Sequence, residues 1–222
     1  MKKNTMLAML GLALAVLSPQ IAQAQGTVYI SSLGLPSAGS GSAASDSWLA
    51  EPFETGTNAG GYLLNAVQLA LTSASGNPSG FTAMIYAGTN IIIAVVPGSS
   101  LGTLNGSLDP VTAGTYTYSP GSSLTLAPTT EYFIVLTAGT PVAAGTYGWS
   151  FTRTLAPIVS GGWHGGYSIL SSSDGLRWGP GPGGSGLFAI SATDVPEPST
   201  LGLFVLGGFF LVRHRRKVCP CR

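Results

Sequence analysis

Between Gln25 and Asp194 the chain has no cysteine and no lysine, and its permanent cations are Arg153 and Arg177 alone. Without cysteine, no disulfide can staple this segment in an oxidising compartment, so packing must hold it. Seven acids (Asp46, Glu51, Glu54, Asp109, Glu131, Asp174 and Asp194) outnumber the two arginines, although the whole chain carries +1. Nucleic-acid binding needs a basic patch to neutralise phosphates, and this segment has none. Helical periodicity is also missing between the two ends of the chain. So are zinc-ligand clusters, the calcium-loop spacing, phosphate-binding Gly-Lys loops and a Gly-x-Ser-x-Gly elbow. The expectation is therefore no catalytic residue, no metal and no cofactor. Asn77-Pro78-Ser79 fails as a glycosylation sequon because proline holds its middle position.

What is present is short alternating runs separated by Gly, Pro and Ser. Thr27–Ser32 reads as a strand and Leu33–Ser47 as a loop. Over Tyr62–Thr72 the apolar residues Leu63, Val67, Leu69 and Leu71 fall on one side, the period of a half-buried strand. Gly76–Gly80 has turn chemistry, and Phe81, Ala83 and Ile85 resume the alternation. Ile91–Val96 is a nearly continuous β-branched run, which predicts a strand buried on both faces and broken by Pro97. Gly114–Tyr118, Ser122–Leu126, Glu131–Thr137, Gly145–Phe151 and Leu187–Thr193 are further strands, the Glu131 run being the strongest. Strands at about ten-residue spacing predict an all-β domain of β-sandwich or jelly-roll type over 25–194. Its expected core is Val67, Leu69, Phe81, Ile85, Leu124, Leu126, Phe133, Val135 and Trp149.

The ends differ from this. Met1-Lys2-Lys3, an apolar run from Met6 to Leu17 and Ala22-Gln23-Ala24 form a secretory signal peptide over 1–24, a helix cut between Ala24 and Gln25 by the general secretion machinery. At the other end, 195–222, three parts follow in order. Val195-Pro196-Glu197-Pro198-Ser199-Thr200 is extended and exposed, because its prolines lack a donor and fix φ. Ser199–Val212 is uncharged and spans lipid only as a helix; at 1.5 Å per residue it covers about 21 Å, short of the ~30 Å hydrocarbon core. Arg213, Arg215, Arg216 and Lys217 keep the far end cytoplasmic. Cys219 and Cys221 come last; two ligands are half a metal site, and the pair reads as a remnant without function.

These three parts resemble the PEP-CTERM sorting signal of Gram-negative bacteria. The resemblance implies recognition by an exosortase, a membrane peptidase, transient residence in the inner membrane through the 199–212 helix, and delivery to the cell envelope or extracellular matrix. Between the ends, Glu51-Pro52-Phe53-x-Thr55-Gly56, Phe81–Tyr86, Pro97-Gly98-Ser99, Gly114–Tyr118, Leu124-x-Leu126-Ala127, Tyr132-Phe133 and Tyr147-x-Trp149, spread over about Ser45 to Ala192, look like the choice-of-anchor R domain. That family implies a surface β-domain without an assigned biochemical role.

The reading these features support is a non-enzymatic exported protein associated with exopolysaccharide or a biofilm matrix. A second reading is a glycan-binding module in which Trp163 and Trp178 stack on a sugar beside Asp174. A third is a glycosidase-like hydrolase, which needs two facing carboxylates that the sequence does not pair. The single histidine of the domain, His164, stands beside Trp163 in a Gly-rich stretch, no serine has a Gly-x-Ser-x-Gly elbow around it, and it reads as a loop residue.

Overall fold

The structure, a computed structural model, describes residues 26–92, 94–154, 157–165 and 168–197. The signal peptide with its Ala24–Gln25 cleavage point, the 199–212 helix, the basic residues Arg213 to Lys217 and the Cys219/Cys221 pair lie outside the described residues. Among the described residues no helix is long and apolar enough to cross a membrane.

Among the described residues the regular structure is all antiparallel β, seventeen strands in one pairing network. They are β1 (Thr27–Ser31), β2 (Gly39–Ala43), β3 (Trp48–Glu54), β4 (Tyr62–Leu71), β5 (Ser75–Gly76), β6 (Thr82–Ile91), β7 (Ala94–Asn105), β8 (Gly114–Pro120) and β9 (Thr125–Leu126). Then come β10 (Glu131–Thr137), β11 (Gly145–Thr152), β12 (Ile158–Val159), β13 (His164–Gly165), β14 (Leu170–Ser172), β15 (Gly179–Pro180), β16 (Ser185–Gly186) and β17 (Phe188–Asp194). One arm of the network runs β12–β1–β17–β4, with β8 and β9 along the far edge of β4. Strand β11 joins it where Trp149 faces Leu71, and carries β2, β5 and β16. The other arm runs β3–β10–β6–β7, with β13 and β14 on the outer edge of β3. Strands β7 and β8 link the arms at Leu104 and Asn105.

One apolar cluster draws on both arms: Val67, Leu69, Trp149, Phe188 and Ile190 from the first, Phe53, Ile85, Ile134 and Leu136 from the second. Strand β10 is buried on both sides. Tyr132, Ile134 and Leu136 enter that cluster, while Phe133 and Val135 form a second one with Ala50 and Met84, covered by Trp48, Leu170 and Trp178. This double burial is why residues 132–136 read as an unbroken apolar run. Of the expected core, Leu124 is partly buried at the margin and the others are buried.

Three local expectations are corrected. Strand β4 alternates out of phase across Asn65: Tyr62 and Leu64 point inward, then Val67, Leu69 and Leu71. The register with β17 slips there, between Ser191 and Ala192. An extra residue in one strand flips the faces of all that follow, so Leu63 lies on the outer face and not with Val67. The stretch 33–47 holds β2, whose Gly-Ser-Gly-Ser-Ala sequence carries no apolar pattern and is strand because β11 pairs with it. Most consequential is Ile91–Val96. Strand β6 ends at Ile91 and β7 starts at Ala94, so this run is the tip of a hairpin, with Ile91 50 % and Ile92 103 % exposed. Strand β10 begins at Glu131, level with Gly88, so that, among the described residues, 89–91 pair with β7 alone, while Val95 nearer the root packs against the Ala50–Phe133 cluster. Pro97 does not end the strand: β7 is an edge strand there, where a missing donor is tolerated.

Candidate functional site

The folded domain ends where the sorting block begins. The last rungs of β17 pair Thr193 with Leu63 and Asp194 with Tyr62. Beyond them Val195 is held by both backbone groups: its N–H donates to the Gly61 carbonyl at 3.0 Å, and its carbonyl accepts from Asn58 Nδ2 at 3.1 Å. Asn58 Nδ2 also donates to the Gly61 carbonyl at 2.6 Å, closing the turn on itself. Gly61 adopts φ +76°, which glycine tolerates and other residues resist. A Cβ at Gly60 would run into the Val195 carbonyl oxygen. Pro196 has no N–H with which to continue the ladder, and Pro196 and Glu197 are exposed. Pro198, Ser199 and Thr200 of the block lie outside the described residues.

Aromatic packing supports this exit. The Asn58 N–H donates to Tyr62 Oη at 3.0 Å. Tyr62 meets Trp163 edge-on at 4.9 Å, and Tyr29 stacks on Trp163 at 4.8 Å between centroids. Tyr29 Oη donates to Asp194 Oδ1 at 2.6 Å. Burial, then the hydrogen bond to Asp194, pushes the Tyr29 phenol up to about 12. Thr55 braces the neighbouring loop: its buried Oγ1 donates to the Ala127 carbonyl at 2.6 Å and accepts the Thr130 N–H at 3.1 Å. Glu131 faces Glu54 across the ladder, and burial followed by repulsion from Glu54 raises its carboxyl above the usual range.

The residues considered for sugar contact are not brought together. Trp163 is fully buried in the main core, stacked parallel to Phe53 at 6.0 Å. Trp178 packs on the opposite face of the β3–β10 arm, against the Ala50–Phe133 cluster. Asp174 caps its own turn, accepting from the backbone N–H of Leu176 and Arg177 and from Ser172 Oγ, and those bonds lower its pKa. His164 is exposed on β13, opposite Glu54.

Other acids are engaged as structural acceptors. Buried Glu51 takes bonds from Ser185 Oγ at 2.9 Å and the Gly186 N–H at 3.1 Å. Asp109 accepts from Tyr147 Oη at 2.7 Å, and Asp46 from the Val142 N–H at 2.8 Å. On the outer face of β1, β17, β4 and β8 lies an open groove of about 1000 Å³, whose polar lining is Asn65, Gln68, Thr117, Ser119, Ser191 and Thr193, with no charged or aromatic side chain.

Sequence reasoning did not single out Asn58, Gly60 and Gly61. The signal available was turn chemistry, Asn-Ala-Gly-Gly before an alternating strand. That signal gives a turn but not its partner, since Val195 is far away in sequence.

Residues 194–217 match the family model described as the PEP-CTERM protein-sorting motif. No curated protein and no solved structure matches the chain. The motif implies an exported cell-surface protein processed by an exosortase.

Proposed function

We propose that this chain is a non-enzymatic surface domain, a sandwich of the two β arms, delivered by its tail to the cell envelope or an exopolysaccharide matrix. The observation that carries the reading is the exit: the domain is fixed through Val195, and exposed Pro196 and Glu197 follow at once. A peptidase that needs an extended peptide finds it immediately beyond the last fixed residue. In this reading the general secretion machinery exports the chain, the 199–212 helix holds it in the inner membrane, and the exosortase then releases it. The resemblance of the middle of the chain to the choice-of-anchor R domain belongs to the same proposal. It agrees with a domain whose quoted motifs have structural work, as at Thr55 and Tyr147.

The non-enzymatic part is supported by how the acids are used. Glu51, Asp46, Asp109, Asp174 and Asp194 each accept bonds that hold strands or turns. The glycan-binding reading built on Trp163, Asp174 and Trp178 draws no support from two indoles on opposite faces of one sheet.

The test is intact mass spectrometry of the mature protein from its host, with and without the sorting peptidase. Loss of the tail beyond the Pro-Glu-Pro block in the presence of the peptidase alone is the expected result. A tail retained in both strains would mean a permanently tethered domain and would overturn the sorting mechanism.

A further inference from the structure

We propose that the β6–β7 hairpin is a second membrane contact, its isoleucine tip entering the lipid surface beside the C-terminal helix. The inference rests on the reading above that this helix sits in the bilayer before processing. Its basis is a juxtaposition in the fold. Val195 is bonded to the Asn58–Gly61 turn, and a Cβ on Gly61 would touch the Leu126 carbonyl. Leu126 leads into Ala127, whose N–H donates to Tyr132 Oη, and Tyr132 pairs with Ala87. The chain exit and the root of the hairpin therefore share one end of the domain. From Gly88, paired with Pro97, the hairpin runs on past that end to Ile92. Four residues at about 3.3 Å each give a projection of about 13 Å.

The tail has a matching reach. From Val195 the sequence supplies four residues to Ser199 and six to Leu201, so the lipid surface lies within about 13–20 Å of the exit at 3.3 Å per residue. A tip about 13 Å beyond the same end falls within that range. Ile91 and Ile92 are exposed there, with Thr89, Asn90, Ala94, Val95 and Val96 behind them and no charge among them. Of the acids of this end, Glu54 and Glu131 lie level with the root of the hairpin, and Asp194 and Glu197 lie on the chain exit. Glu54 and Glu131 are about 13 Å from the tip, more than the ~8 Å screening length at physiological salt, so those two do not repel an anionic surface there. The contact is apolar and needs no basic residue.

The experiment uses the full chain with Cys219→Ser and Cys221→Ser, reconstituted into phosphatidylethanolamine–phosphatidylglycerol vesicles. An environment-sensitive fluorophore is placed through Ile92→Cys or, as control, through Val142→Cys. Val142 is exposed in the turn after β10, at the opposite end of the domain. The expected result is a blue-shifted, several-fold brighter label at position 92, quenched by nitroxide lipids and unchanged in high salt, with no response at 142. A label at 92 that behaves like the one at 142, in chains that resist carbonate extraction, overturns the hairpin inference and leaves the tail reading standing. So does a shift that lipid quenchers cannot reach, which would indicate a second copy covering the tip. Chains that carbonate removes from the vesicles overturn both readings.

Discussion

Two structures at one end of this domain use apolar residues in opposite ways. The exit turn is drawn inward: Asn58 and Gly61 hold Val195, and Tyr29, Tyr62 and Phe53 enclose Trp163. The tip of the β6–β7 hairpin is pushed outward, and its Ile91 and Ile92 are exposed. A β-branched run is therefore a statement about strand preference; whether it is buried depends on what lies alongside. Residues 132–136 have β3 and β6 on either side and cover on both faces, while residues 89–92 have their hairpin partner alone.

The largest expected difference between the two regions is in side-chain truncation. Trp163→Ala removes the ring at the centre of the exit cluster and should cost about 3–5 kcal/mol, as for other buried aromatics. Ile92→Ala should stay within about 0.5 kcal/mol, as for exposed positions. Urea unfolding of the two variants checks this, and equal losses would mean the hairpin tip is packed. Next comes Gly60→Ala, which forces a Cβ against the Val195 carbonyl and should cost about 1–3 kcal/mol, the range for overpacking. Hydrogen exchange at the Val195 amide, accelerated in the variant, would place the damage at the exit.

A smaller effect is expected at Tyr29. Its phenol is raised from about 10 to about 12 in the fold, so the stability it contributes is complete below pH 10 and falls as pH rises through 12. Tyr29→Phe should lose about 1 kcal/mol at pH 7, the worth of one hydrogen bond, and should flatten the pH 10–12 part of the stability profile. The smallest effect has the opposite sign. Glu131 has a raised carboxyl, so the unfolded chain releases this proton first and its ionisation burdens the fold as pH rises through the carboxylate range. Glu131→Gln should stabilise at pH 7 by less than about 1 kcal/mol, a figure kept low because the carboxylate is half-exposed and screened. The gain should vanish in acid, as thermal melts at the two pH values would show.

The order of the tail, the presence of strands and most of the core were determined by sequence alone, because each is written in contiguous residues. Pro196 and Pro198, on either side of Glu197, each fix φ and remove a backbone donor whatever surrounds them. Alternation at Val67, Leu69 and Leu71 marks a face whatever it packs on, and the apolar run at Tyr132–Leu136 marks a strand covered twice. Tertiary structure decided the rest. The bulge at Asn65 that turns Leu63 outward depends on how β17 lies against β4. The separation of Trp163 from Trp178 depends on which face of β3 each reaches. The hold on Val195 joins residues 137 apart in sequence, and no local pattern encodes a partner at that distance. The hairpin projects because β10 starts level with Gly88. Burial and hydrogen-bond pairing are properties of neighbours in space, and a single sequence lists neighbours along the chain.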